Sequence, residues 1–238
     1  MASSEGSTWV QRAWGLVKIV LGSRPGRHPE GMAATWAASR EVFQVKVALL
    51  DIEPTIWRRL LIPAHHTLAE LHDAIQVAFS WEGWHGHVFT VRGRDYGSQD
   101  PVEVPGVRDE RIPLAKLDLT PGTSIRYVHD FGDNWSHEIL VEKVLVQDEP
   151  NLAPACLDGR RAGPPDDSGG PLGYMHLLAA LRNRKHPEHR DLKEWVGSDW
   201  RPEAFHLDEV NARLRERFAP AKPPPIQTTE PTDFHSMG

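Results

Sequence analysis

The chain has 238 residues, 39% of them hydrophobic and 25% charged, a balance that belongs to a folded globular domain and not to a disordered or membrane-embedded one. Its formal net charge of −6 divides into +3 over residues 1–40 (five Lys/Arg, two Asp/Glu), −8 over 41–218 (21 against 29) and −1 over 219–238 (one against two), and so acidic a domain argues against a strong non-specific grip on duplex DNA. A single cysteine, Cys156, excludes a disulfide framework and a multi-cysteine zinc module, and fits a cytoplasmic protein.

Residues 1–40 show no sustained period and are expected to be mostly disordered, although Trp9, Trp14 and Trp36 stand among them and Met32 offers an alternative start. The apolar run at 15–22 is interrupted by Lys18, is too short to span a bilayer and is followed by no signal-cleavage motif. The last stretch, 219–238, holds five prolines in twenty residues and is expected to be a disordered tail. A single domain is therefore expected over 41–218.

That domain opens with Phe43, Val45, Val47 and Leu49 alternating with Gln44, Lys46 and Ala48, which predicts a strand. A turn at Glu53 and Pro54 leads to a second strand over 56–62, paired with the first. Thr67 and Glu70 form a capping box ahead of Leu68, Leu71, Ile75 and Phe79, so a helix is expected over 68–80. His87, Phe89 and Val91 mark a third strand. Residues 93–124 are expected to be loop with one short element near 114–117. Strands over 125–131 and 135–146 form a hairpin about Gly132, Asp133 and Asn134. Helices are expected at 174–184, 192–196 (closed by Gly197) and 208–218. Strands first and helices last give an α+β domain with an antiparallel-rich sheet, an early helix and a helical C-terminal third.

The hairpin carries the most chemistry. If Gly132, Asp133 and Asn134 form its loop, His129 faces His137; if only Asp133 and Asn134 do, Asp130 faces His137. Imidazoles beside a carboxylate suit a divalent metal or a general-base dyad. They also occur as hydrogen-bonded sheet residues beside a turn aspartate. Between the first helix and third strand, Trp81, Glu82, Trp84, His85 and His87 form a second cluster. There His85 and His87, two apart, share one face of an extended segment. A third stretch runs from Cys156 to Pro171 and holds Arg160, Arg161, Asp166 and Asp167 among glycines and prolines. It is read first as a rigid loop delivering the chain into the helix at Tyr174, and second as a cradle for an anion or metal. It matches neither a P-loop nor a dinucleotide fingerprint. Cys156 itself is expected to be a buried small hydrophobe.

Together these segments resemble one family. Val45 to Val47, Asp51 to Arg59 and Thr67 to His72 are similar to its opening signature, and Trp84 to Phe89, Tyr127 to Glu138 and Gly159 to Pro171 follow in its order. This is the plasmid pRiA4b ORF-3-like family, also labelled passenger TnpR proteins of insertion elements, and the resemblance covers about residues 41–217. It implies a compact α+β domain found on plasmids, mobile elements and bacterial chromosomes. The residues give no support to the resolvase-type label, because neither an arginine-surrounded serine nor a DNA-binding helix-turn-helix is present. Family members often carry cysteine where this chain has Gly163 and sometimes where it has Ser168. With Cys156 alone, a shared metal site would here be built from His and Asp.

Three functions are carried forward. The leading one is a non-catalytic binding or accessory module linked to mobile elements. Its ligand surface is the sheet end formed by His85, His87, His129, Asp130, Asp133 and His137 with the loop from Arg160 to Asp167, and it takes a protein partner or small ligand with Trp84, Trp135, Arg160, Arg161, Asp166 and Asp167 as binding residues. The second is a metal-dependent hydrolase or nuclease, with a divalent metal on His85, His87, His129 and His137 and with Asp130 or Asp133 as base. The third is a nucleic-acid partner held by Trp57, Arg58, Arg59 and the basic N-terminal segment.

Overall fold

The computed structural model describes residues 40–97, 106–147 and 153–219. The expected disorder of the first 39 residues and of the tail from 220, with Trp9, Trp14 and Trp36, lies outside the described residues. Strands β1 (Glu41–Leu49) and β2 (Trp57–Pro63) pair antiparallel, with Val45 opposite Leu60. Alternation sends Phe43, Val45, Val47 and Leu49 to the inner face, where all are buried, together with Leu60 and Ile62 of β2.

Helix α1 (Leu68–Phe79) covers that face. It starts where expected because Thr67 Oγ1 accepts from the Glu70 amide at 3.2 Å while Glu70 Oε2 accepts from the Thr67 amide at 2.8 Å. It ends at Ser80 in the left-handed region. Its buried stripe is Leu68, Leu71, His72, Ala74, Ile75, Ala78 and Phe79, and each large apolar side chain on it contributes about 1.5–3 kcal/mol by leaving water.

The chain then adds β3 (His87–Val91), β4 (Arg94–Gly97), β5 (Arg108–Asp109), a 3-10 turn at Leu114–Lys116, β6 (Ser124–His129), β7 (Trp135–Val146) and β8 (Ala155–Arg160). All eight strands form one sheet in the order β5-β4-β3-β6-β7-β1-β2-β8. Every pair is antiparallel except β4 with β5. Helices α2 (Gly170–Arg182), α3 (His189–Val196) and α4 (Leu207–Arg217) follow. The sheet, the early helix and the helical end are the α+β arrangement expected. Among the described residues no helix is long and apolar enough to cross a membrane.

Three strands were not expected. β4 and β5 lie in the stretch read as loop, and β8 lies in the stretch read as the start of a polar loop. All three are at or next to the sheet edges, where charged residues such as Arg94, Asp95, Arg108, Asp109 and Asp158 replace apolar alternation. α2 also starts four residues before Tyr174. Gly169 and Gly170 both take positive φ there, and the Gly170 backbone presses on the Asp133 carbonyl where no side chain fits.

α4 closes over β8. Asn211 accepts from the Cys156 amide at 2.8 Å and donates to its carbonyl at 2.9 Å, and burial pushes the Cys156 thiol up to about 11. This cysteine is a packed core residue, as expected.

A candidate metal site at the sheet end

The hairpin adopts neither register considered from sequence. Tyr127 pairs with His137 and His129 with Trp135, so the connection is five residues long, from Asp130 to Asn134. The cause is Asp130. Its Oδ1 accepts from the amides of Gly132 at 2.9 Å and Asp133 at 3.2 Å, and its carbonyl accepts from the Asn134 amide at 2.6 Å. Asp130 and Asn134 both sit at φ 57°, a region that Asp and Asn tolerate better than other non-glycine residues. The aspartate is thus drawn into the turn and does not face His137 across the strands.

With Oδ1 engaged by the turn, Asp130 Oδ2 points toward His85, 3.6 Å from Nδ1. On the other side of the ring, Asp167 Oδ1 lies 3.4 Å from His85 Nε2. Donor atoms of His85, Asp130 and Asp167 all lie within 4.8 Å of one another. Asp130 is buried, His85 half-buried and Asp167 exposed, so the group forms a rim open to solvent. The loop carrying Asp167 is clamped in place. Trp81 Nε1 donates to the Pro164 carbonyl at 2.9 Å, and the Glu82 amide donates to Asp166 Oδ2 at 3.2 Å. Burial raises the Asp166 carboxyl, opposed by that amide bond. Asp133 Oδ2 accepts from the Gly169 amide at 3.0 Å, which ties the hairpin tip to the start of α2.

The other histidines named from sequence go elsewhere. His85 and His87 do not share a surface, because His87 turns under α1. There it pairs with His129 across β3 and β6, stacks on His72 at 3.6 Å and contacts Glu110 Oε2 at 2.6 Å. His129 and His137 are buried on the same inner face. Desolvation, helped by neighbouring imidazoles, lowers His129 to about 4, His137 to about 3 and His72 to about 2, so these three rings are neutral. His137 Nδ1 donates to the Trp135 carbonyl at 3.0 Å, which leaves Nε2 buried without a hydrogen-bond partner, and His129 Nδ1 is in the same condition. Tyr127 Oη accepts from Gln76 at 3.0 Å and lies 2.8 Å from His72 Nδ1, so the hydroxyl donates to His72.

The proposed ligand face is likewise divided. Trp84 is 82% exposed and its indole N–H donates to Glu82 at 2.8 Å, whereas Trp135 is 1% exposed. Arg161 is buried, bonded to the Pro54 carbonyl and to Glu203 at 3.1 Å. Arg160 is exposed on β8, an edge strand of the sheet, whereas Asp166 and Asp167 lie beside Glu82 and His85. Of the residues offered to nucleic acid, Arg58 is buried between Phe79 and Phe205, and Arg59 pairs with Glu142 at 2.7 Å.

Sequence reasoning missed His72, Glu110 and Glu203. His72 was legible, since it falls four residues after Leu68 on the apolar stripe of α1. Glu110 and Glu203 lie outside any periodic element and carried no such signal.

Comparison with known proteins places the chain among relatives. The profile of the plasmid pRiA4b ORF-3-like protein family matches residues 41–209. The chain is 32% identical over 181 residues to the uncharacterized protein y4hQ of Sinorhizobium fredii (strain NBRC 101917 / NGR234), spanning 75% of this chain and 93% of that one. It is similar to the crystal structure of MM3350, a protein of unknown function from Methanosarcina mazei Go1. That match has a TM-score of 0.66 and 34% identity, over 72% of this chain and 98% of the other.

Proposed function

The chain belongs to the plasmid pRiA4b ORF-3-like family, and on that footing we propose that it is a binding module whose ligand surface is the rim at His85, Asp130 and Asp167, with a divalent cation as the primary ligand. One observation supports the reading above the others: an imidazole flanked by a carboxylate at each ring nitrogen, one of them buried and pre-oriented by a turn. The gaps of 3.6 and 3.4 Å are longer than the roughly 2.7–2.9 Å of a strong charge-assisted hydrogen bond. The facing oxygens, Asp130 Oδ2 and Asp167 Oδ1, therefore lack a close side-chain partner in His85. A cation shared by one ring nitrogen and its carboxylate supplies that partner. The second carboxylate then accepts the remaining ring N–H and fixes the tautomer. A mixed nitrogen and oxygen donor set suits zinc or manganese better than calcium. The family resemblance extends the reading to an accessory role beside mobile elements.

The test is metal stoichiometry by titration calorimetry and elemental analysis on the full chain. Wild type is expected to bind one equivalent more zinc or manganese than the His85→Ala/Asp130→Asn variant. Equal stoichiometry in the two folded proteins overturns the proposal.

A second reading is metal-dependent hydrolysis. It is favoured by the openness of the rim, since one ring nitrogen and one carboxylate leave coordination positions for water. Turnover of a phosphoester or ester, abolished by His85→Ala, is the expected result. A blank panel with metal bound leaves the binding module standing and removes the hydrolase.

A further inference from the structure

A second donor group stands apart from the rim, on the helical side of the molecule. His176 projects from the second turn of α2, His186 sits in the connection to α3, and Glu188 occupies the position just before the first residue of α3. Their donor atoms all lie within 4.8 Å of one another. His176 Nε2 is 2.8 Å from Glu188 Oε2, and the His176 and His186 rings meet edge to face with centroids 5.3 Å apart.

Two further features concern α3 itself. The helix has eight residues and none of them is fully buried; Leu192 and Val196 are only partly covered. A helix shorter than about 12–15 residues is marginal in water without tertiary support. Glu188 also sits where a side chain ordinarily caps the first amides, yet it makes no capping hydrogen bond and reaches across to His176 instead. The carboxylate is thus used to join two elements and not to finish its own helix.

From this geometry we propose that His176, His186 and Glu188 form a zinc site that staples α3 to α2. Two imidazoles and one carboxylate fill three positions of a tetrahedral zinc, and water takes the fourth. Donors on a zinc with bonds of about 2.0–2.1 Å stand roughly 3.3 Å apart, so loading spreads the His176–Glu188 pair slightly and draws the third group in. His186 Nδ1 accepts from the Glu188 amide at 3.2 Å, and ligation through that nitrogen exchanges this long hydrogen bond for a bond to metal. The chemistry selects the cation. The donor set holds a single carboxylate, so charge alone holds a hard ion poorly, while paired imidazoles favour zinc.

The experiment uses the full chain carrying His85→Ala/Asp130→Asn, so that the rim contributes nothing. Zinc is titrated by calorimetry, with cobalt as a spectroscopic substitute, and amide hydrogen exchange is followed over residues 189–196. One equivalent is expected, with slower exchange across α3. His176→Asn and Glu188→Gln, both at exposed positions, should each weaken binding at least about tenfold and abolish the added protection. Binding that is unchanged in both variants, or that leaves exchange in α3 unaltered, overturns the staple and reduces the contact to an adventitious ion. The readout is independent of the rim, so either site can fail alone.

Discussion

At the scale of single residues, Asp130 combines two tasks that substitution separates. Its Oδ1 holds the hairpin turn and its Oδ2 faces His85. Asp130→Asn keeps a carbonyl oxygen for the turn, so stability should change by less than about 1 kcal/mol while the cation affinity proposed for the rim is lost. Asp130→Ala should lose both, at about 1–2 kcal/mol, as read by urea unfolding. Arg58 presents the opposite case, a charge with a purely architectural part. Burial lowers its pKa to about 10, and it donates to the carbonyls of Ala78 at 2.8 Å, Trp57 at 2.8 Å and Arg160 at 3.0 Å. Arg58→Ala strands those carbonyls and empties the space between two phenylalanines, with an expected cost of about 3–5 kcal/mol in urea unfolding. Sequence placed Arg58 on a strand beside Trp57 and Arg59, but alternation alone does not say which of two adjacent arginines is inward.

At the scale of elements, the apolar contact between α1 and the sheet contains a group of neutral imidazoles. His72, His129 and His137 titrate near 2, 4 and 3 in the folded protein, and His66, desolvated beside Glu70 and His65, near 4. Each folded value lies below the unfolded value of about 6.5. The unfolded chain therefore takes up protons first as pH falls. The stabilisation is whole above about 6.5 and declines steadily below it, by up to about 1.4 kcal/mol per pH unit per ring. The urea midpoint should be flat above pH 7 and fall steeply between 6 and 4.5, and His137→Phe should reduce that slope by about one proton. A flat profile down to pH 4.5 would contradict the burial of these rings. The elements that build the group were legible from period: α1 from its capping box and stripe, β1, β3, β6 and β7 from alternation. The group was not, because which histidines meet depends on a loop length that Asp130 sets through its own hydrogen bonds. Strands β4, β5 and β8, at or next to the sheet edges, were hidden for a different reason, since edges carry charge where interior strands carry pattern.

At the scale of the whole molecule, the sheet is covered on one face by helices, while its other face carries a polar network. There Gln44 and Arg59 both donate to Glu142, at 2.6 and 2.7 Å, and among the described residues a small apolar patch of Val42, Leu61, Leu145 and Ala155 is buried. The two faces should respond very differently to truncation. Ile139→Ala on the inner face should cost about 2–5 kcal/mol, and Glu142→Ala on the outer face about 1 kcal/mol or less, both by urea unfolding.

The rim at His85, Asp130 and Asp167 is assembled from three stretches well separated along the chain, joined only when the hairpin tip, the segment after α1 and the loop before α2 have all come together. Closing such distant stretches is slow and entropically unfavourable until much of the sheet exists. A cation taken up there, as proposed, would recognise the finished molecule and no partial one. It should lengthen the native lifetime, lowering the unfolding rate, and leave the refolding rate untouched.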